Sequence, residues 1–277
     1  MSLQGKTVFI TGGTRGIGKA IALKCAADGA NVVVAAKTVV STPKTPGTIH
    51  DAAAEIDAAG GQGLGIQVDV RDEGSIAAAV QQTVDRFGGI DAVVNNAGAI
   101  QLLPTEHLAP KRYDLMMQIN VRAVWMLAKA ALPHLARSDN AHLLTLSPPI
   151  DLDYSRWFSN HAAYTVSKFA MTMTALGLGA ELRSKRIACN TLWPRTTIAT
   201  AAVEMLGGKG LMEVSRTPQI MADAAYALIS SDAAVVTGGS YLDEDLLRER
   251  GVTDFEGYSV KPGASLQTDL FVRESEC

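Results

Sequence analysis

The stretch Thr11-Gly12-Gly13-Thr14-Arg15-Gly16-Ile17-Gly18 constrains the fold of this chain more than any other. Before it, Thr7-Val8-Phe9-Ile10 is an apolar, partly β-branched strand. After it, residues 19–28 place Ile21, Ala22, Cys25 and Ala26 at helical spacing. Strand, glycine turn and helix form the context of a dinucleotide site. Gly12 permits a sharp turn, Gly16 lets the backbone approach a pyrophosphate, and Gly18 lets the helix lie close on the strand. Free N–H groups at the helix start would then face the diphosphate. The same glycines also suit an ordinary tight turn, and only the rest of the chain decides between the two.

Strands and helices alternate from there on. Gly29 suits a helix C-cap, and residues 31–36 are a continuous apolar run of the kind buried in a parallel sheet. Residues 37–50, with Pro43, Pro46 and Gly47, are irregular and long for a strand-to-helix connection. Helices are expected over 51–59, 72–87, 110–132, 161–183 and 219–230. Strands are expected over 65–70, 92–94, 141–147, 187–192 and 235–242. The alternation predicts an α/β fold, a single-domain Rossmann architecture with a doubly wound parallel sheet and helices on both faces. Residues 1–242 read as the dinucleotide-binding catalytic domain. Residues 243–277, charged and then irregular around Pro262 and Gly263, read as a C-terminal extension of it.

Composition narrows the function classes. A chain of 277 residues holds one large α/β domain or two small ones. A net charge of −3 argues against a nucleic-acid partner. No apolar run reaches the ~20 residues of a membrane span, so no membrane partner is expected. The N-terminus enters a strand at once, without a signal-peptide pattern, and Glu274-Ser275-Glu276-Cys277 matches no peroxisomal or reticular address. Cys25, Cys189 and Cys277 have no metal-ligand spacing; so sparse a set suits a reducing, cytoplasmic setting and no metal.

Ligands of such a sheet bind beyond the carboxyl ends of its strands. At those ends, in turn, stand the glycine loop, Lys37, Asp69, Asn95-Asn96-Ala97-Gly98, Ser147 and Pro194-Arg195-Thr196-Thr197. Tyr164-Thr165-Val166-Ser167-Lys168 opens the helix after Ser147, and a spacing of four puts phenol and ammonium on one helical face. Of six tyrosines only Tyr164 has a lysine four residues on. Alone, the pair is as readily a surface coincidence as a site. Its place after the strand that delivers Ser147 favours the site.

Together these residues resemble the short-chain dehydrogenase/reductase family over residues 6–242. The motifs in order are the 11–18 loop, Asn95 to Gly98, Ser147, and Tyr164 with Lys168; Asn120 in Met117-Gln118-Ile119-Asn120-Val121 matches the family's helix asparagine. Within the family the chain is most similar to the hydroxysteroid dehydrogenase-like proteins. Ala35-Ala36-Lys37-Thr38, Leu146-Ser147-Pro148-Pro149, Leu192-Trp193-Pro194 and Lys261-Pro262-Gly263 carry that likeness. Larger members append a sterol-carrier-like domain, and this sequence stops where that domain would be expected to begin.

The resemblance implies a hydride transfer between NADP(H) and an alcohol or carbonyl. Tyr164 would be the general acid/base, Ser147 would bind the substrate oxygen, and Asn120 would hold a relay water to Lys168. A phenol of pKa ~10 is a poor base at neutral pH, and the Lys168 ammonium would lower it while holding the nicotinamide ribose. Gly12, Thr14, Arg15, Gly16, Ile17 and Gly18 would cradle the cofactor. Asp69 and Val70 would meet the adenine, and Asn96, Ala97, Gly98, Pro194, Thr196 and Thr197 would line the rest. Strand two ends in Lys37 rather than an acid, which with Arg15 suits the 2′-phosphate of NADP, although NAD stays possible if both cations are solvated.

Two features depart from the family pattern. Ser147 precedes Tyr164 by seventeen residues, a few more than usual, and Tyr154, Trp157 and Phe158 between them are either a pocket wall or surface packing. Arg195 replaces a customary glycine and either clamps an anion or points to solvent. Val203, Met205, Leu206, Leu211 and Met212 favour a hydrophobic substrate of steroid or fatty-acyl type, or simply cover the core. A nucleotide-binding regulator without turnover, or a dehydratase or epimerase, are the competing functions. The long helices 110–132 and 161–183, with small Ala170, Ala175, Gly177 and Gly179, suit a homodimer or homotetramer.

Overall fold

The computed structural model of the chain describes residues 1–42 and 46–273; part of the irregular 37–50 stretch and Glu274 to Cys277 lie outside the described residues. Seven parallel strands form one sheet in the order β3-β2-β1-β4-β5-β6-β7. They are β1 Thr7–Thr11, β2 Asn31–Ala36, β3 Gln62–Gln67, β4 Ala92–Asn95, β5 Ala141–Thr145, β6 Ile187–Trp193 and β7 Ser240–Leu242. The ten helices among the described residues are α1 Gly16–Ala26, α2 Ile49–Ala58, α3 Glu73–Phe87, α4 Pro110–Met116, α5 Ala123–Leu135, α6 Tyr154–Trp157, α7 Ala162–Leu182, α8 Ala201–Glu213, α9 Gln219–Ile229 and α10 Asp243–Glu249.

Successive strand residues face opposite sides, so each strand feeds two cores. Val8 and Ile10 of β1 join α1 and α9 in one apolar layer. Phe9 between them joins Val33, Val93 and residues of α3 and α5 in the other. This is the doubly wound sheet expected from the alternation, with helices on both faces.

Helices α6, α8 and α10 lie where the sequence reading expects none, and three further elements differ from it. β3 begins at Gln62, three residues earlier than the apolar run 65–70 suggests. The strand is chosen by packing: a Cβ on Gly63 would lie 2.3 Å from the Ala53 carbonyl oxygen, and one on Gly65 2.4 Å from that of Ile49. Only bare backbone lets α2 lie so close. β7 is limited to three residues because Gly238, at φ +77°, breaks the extended backbone just before it. The helix expected over 110–132 is two α-helices joined by a π-helical turn, Met117–Arg122, with Asn120 at its centre. It continues past Pro133 to Leu135. π-turns recur where a helix must turn one side chain out of register.

Substituting Gly65 tests the close approach. Gly65→Val should lower stability by about 1–3 kcal/mol, as overpacking does, seen as a lower urea midpoint. An unchanged midpoint would contradict the contact between β3 and α2.

Candidate active site

Strand order reverses between β1 and β4, which opens a crevice at their carboxyl ends. The Asn96 side-chain amide bridges it, donating to the carbonyls of Thr11 (2.8 Å) and Gly12 (3.0 Å). The Thr11 hydroxyl accepts from the N–H groups of Asn96 and Ala97 at 3.1 Å each. A Cβ on Gly18 would sit 2.4 Å from the Asn96 amide nitrogen, so Gly18 serves packing and does not line a cavity. Gly12 and Gly16 turn the loop in the left-handed region, φ +70° and +55°. α1 then starts at Gly16 with no acidic residue in its first turn, leaving its N–H groups open to an anion.

A cavity of about 480 Å³ lies over this turn. Gly12, Thr14, Arg15, Gly16 and Ile17 line it from the loop, Lys37 and Val70 from the β2 and β3 side, and Asn96, Ala97 and Gly98 from β4. Arg15 donates to the Thr38 hydroxyl at 2.7 Å. Lys37 pairs with Asp69 at 2.8 Å, and Asp69 also accepts from Arg71 through both oxygens. Arg71, then Lys37, hold the Asp69 carboxyl well below the usual carboxylate range. Asp69 is therefore turned to two cations, Lys37 and Arg71, rather than into the cavity.

A second cavity of about 520 Å³ meets the first at Ile17, Thr200 and Ala202. Ile100, Leu102, Leu146, Trp193 and Ile198 give it apolar walls, with Val203, Leu206 and Leu211 of α8 on one side. Met205 of the same helix is instead exposed, and Met212 lies outside this cavity. Tyr164, Pro194 and Thr197 are on its wall. Thr196 pairs with Thr268 of the tail instead, its hydroxyl buried without a partner. Of the three aromatics before α7, Trp157 is buried on the wall, Phe158 packs edge-on to Phe169, and Tyr154 is exposed.

Of the four expected catalytic residues Tyr164 lines this cavity, while Asn120, Ser147 and Lys168 are buried and do not. Tyr164 is 5% exposed. Burial, then the Asp269 carboxylate, push its phenol above the usual value. The lowering expected from Lys168 is absent from this arrangement. The Lys168 ammonium donates to the Leu146 carbonyl at 2.8 Å and lies over the Trp193 ring at 4.7 Å. Burial pulls it down to about 7, with Asp269 opposing. Ser147 is fully buried, and its hydroxyl contacts that of Thr172 at 2.8 Å. Asn120 clamps Ala99, accepting from its N–H at 2.8 Å and donating to its carbonyl at 2.9 Å, and reaches the Ser167 hydroxyl at 3.0 Å. The π-helical turn is what aims it there.

Arg195 does neither of the things its sequence position suggested. Its guanidinium chelates Asp245 at the start of α10, and its N–H donates to Asp243 at 2.8 Å. The residues that sequence reasoning left out lie mostly in the tail. Gln267, Thr268, Asp269, Leu270 and Val272 all line the second cavity. Phe271, 1% exposed, packs against the rings of Trp157, His161, Tyr164, Phe169 and Trp193 at 5.3–6.3 Å. It holds φ +70°, a strained value for a residue with a side chain. An apolar Leu-Phe-Val run after charged sequence was the one available signal.

Known proteins match this arrangement. A family model described as short chain dehydrogenase matches residues 6–207. A hydroxysteroid dehydrogenase-like protein 2 of Xenopus tropicalis is 54% identical over 273 residues, which cover 99% of this chain and 65% of that protein. The chain thus spans under two thirds of that curated relative's length. The crystal structure of a putative dehydrogenase from Xanthomonas campestris superposes with TM-score 0.96 at 50% identity, covering 99% of this chain and all of that one. A metagenomic short-chain oxidoreductase in complex with NADP has TM-score 0.72 at 26% identity, covering 87% of this chain and 97% of that one. A short chain dehydrogenase from Mycobacterium paratuberculosis bound to NAD shares the fold, with TM-score 0.74 at 24% identity and the same coverage.

Removing the Asn120 clamp should be costly, because it strands both backbone groups of Ala99. Asn120→Ala should destabilise by about 1–3 kcal/mol in urea unfolding. No loss of stability would contradict a structural clamp at this turn.

Proposed function

The chain belongs to the short chain dehydrogenase family, and from that premise we propose that it moves a hydride between NADP(H) and the alcohol or carbonyl group of a hydrophobic substrate. One observation carries the reading. A glycine-walled cavity at a helix N-terminus opens directly into an apolar cavity with Tyr164 on its wall. The residues fit the cofactor: a Cβ at Gly12 would meet the Asn96 amide at 2.9 Å and one at Gly16 would meet Thr200 at 3.3 Å, so the turn leaves room only for backbone. When bound, NADPH supplies the hydride.

This chain's own residues do the rest. In carbonyl reduction the Tyr164 hydroxyl donates its proton to the substrate oxygen, and in alcohol oxidation the phenolate takes it back. Lys168, one helical turn from Tyr164, carries its charge below about pH 7. Ser147 turns from Thr172 to donate to the same oxygen. Asn120 fixes Ala99, and with it the Gly98 edge of the cofactor cavity, and holds the relay water toward Lys168. Gly12, Thr14, Gly16, Ile17, Asn96, Ala97 and Val70 would support the cofactor, and Pro194 and Thr197, on the wall of the second cavity, would hold its nicotinamide end. Arg15 and Lys37 would hold the 2′-phosphate, Arg71 remaining as the partner of Asp69.

A nucleotide-binding role without turnover draws on the engaged Ser147 hydroxyl, which contacts Thr172 rather than Tyr164. Assembly is a further part of the proposal. Tyr113, Trp125, Val166 and Met173 leave large apolar area exposed on α4, α5 and α7, which suits a homodimer or homotetramer with the 1–242 domain and its extension acting as one unit. Cytoplasmic residence is consistent with free, buried Cys25 and Cys189. No helix among the described residues is long and apolar enough to cross a membrane.

The enzyme reading is tested by Tyr164→Phe, which should keep NADPH binding and lose turnover of apolar ketones by about 100-fold or more. Unchanged turnover would refute the role of the phenol, and binding with no turnover of any ketone by the unaltered protein would favour the regulator. Arg15→Ala should cut the preference for NADPH over NADH by about tenfold, a charge-assisted contact being worth roughly 1.5 kcal/mol or more; equal preference in both proteins would refute the phosphate clamp. Because the phenol is raised, its basic form accumulates only at high pH. Alcohol oxidation should therefore keep climbing above about pH 8, and a plateau below that value would contradict a raised phenol.

A further inference from the structure

The tail carries one acid into the apolar cavity. Asp269 lines that cavity and keeps part of its surface there. Its place is fixed on both sides. Thr268 pairs with Thr196, the Asp269 N–H donates to the Arg195 carbonyl at 3.0 Å, and the Trp193 indole donates to the Leu270 carbonyl at 2.8 Å. Beyond Phe271, Arg273 pairs with Asp151 at 2.7 Å. A residue whose backbone is held this firmly is a built part of the cavity wall.

The charges that face it are few. Lys168 on α7 attracts it, Asp243 at the start of α10 repels it, and the nearby N–H groups of Leu270 and Trp193 favour its ionised form. The Tyr164 phenol feels its field from α7 as well. Arg156 of α6 also lines the cavity, with its guanidinium over the Trp157 ring. Lys168 alone would draw an anionic substrate to the reacting end of the cavity. A carboxylate beside the same space cancels that attraction and repels a second carboxylate.

We propose that Asp269 sets the charge of the substrate, admitting neutral apolar carbonyl compounds and turning away those with a carboxylate next to the reacting carbon. The assignment rests on the oxidoreductase reading of this cavity and adds a substrate class to it. Burial pushes the Asp269 carboxyl up to about 7, so its charge is complete only above neutrality. The discrimination therefore strengthens as pH rises, by more than the loss of the Lys168 charge over the same range produces alone.

Binding tests this without any need for turnover. Two probes of equal chain length, 2-decanone and 2-oxodecanoate, are titrated against the full chain with NADP bound, at pH 6 and pH 8.5. Trp157 and Trp193, both on the cavity wall, report through their fluorescence. The unaltered protein should bind the ketone about 100-fold more tightly than the keto acid at pH 8.5, and by a clearly smaller factor at pH 6. Asp269→Asn should shrink the pH 8.5 ratio by about tenfold and weaken its pH dependence, leaving only the part that Lys168, pulled down to about 7, contributes. Asp269→Glu should restore both. A ratio that is the same at the two pH values in the unaltered protein, or the same in the Asn and Glu variants, overturns the assignment. Failure of the oxidoreductase reading would appear separately, as binding of 2-decanone without its reduction by NADPH.

Discussion

The amide of Asn96 ties together the parts on which the site depends. By donating to the carbonyls of Thr11 and Gly12 it fastens the end of β4 to the loop after β1, across the point where the strand order reverses. Its nitrogen occupies the space a side chain at position 18 would need. The glycine at 18 is thus set by Asn96 and the one at 12 by the turn, and only with both does α1 begin where its N–H groups face the crevice. Two motifs eighty residues apart are one physical object.

From that fixed point the site extends along the carboxyl edge of the sheet. The π-helical turn aims Asn120 at Ala99, just beyond the Asn96 stretch, and Asn120 reaches Ser167 on α7, the helix of Tyr164 and Lys168. The chain then closes the far side with its own tail. Arg195 bonded to Asp245 ties α10 to the loop beyond β6, and buried Arg216, just after α8, pairs with Glu244 of α10 over the Phe255 ring. That anchorage lets residues 267–272 run back against Trp193 and Tyr164. Burial so complete has an electrostatic consequence: Lys168 is pulled down to about 7 and the Tyr164 phenol is pushed up, so the phenol stays protonated near neutral pH.

Much of this was legible in the sequence, for identifiable reasons. The strand-glycine-helix motif at 11–18, the Asn95 to Gly98 turn and the Tyr164/Lys168 spacing are local patterns whose geometry follows from their own residues. β3 was misplaced because its position is set by contact with α2 through Gly63 and Gly65, while propensity pointed to the apolar residues just after it. The π-turn was invisible because one extra residue in a helical turn leaves the apolar pattern of 110–135 nearly intact. Lys168 was expected to lower the Tyr164 phenol because spacing alone says nothing of burial or of Asp269. Arg195 could not be paired with Asp245, nor the tail with the cavity, because both contacts join segments distant in sequence that no local pattern relates. Phe271 shows the limit most clearly: an ordinary apolar residue near the end of the chain becomes the centre of an aromatic cluster only in three dimensions.

The central claim is that the two joined cavities pass a hydride between cofactor and carbonyl. Label transfer tests it most directly. Incubation with NADPH deuterated at both C4 positions and 2-decanone, followed by mass spectrometry of the alcohol, should show one deuterium on the carbinol carbon, with none transferred by Tyr164→Phe above background. Alcohol formed without the label, or NADPH bound for hours with the ketone unchanged, would contradict it.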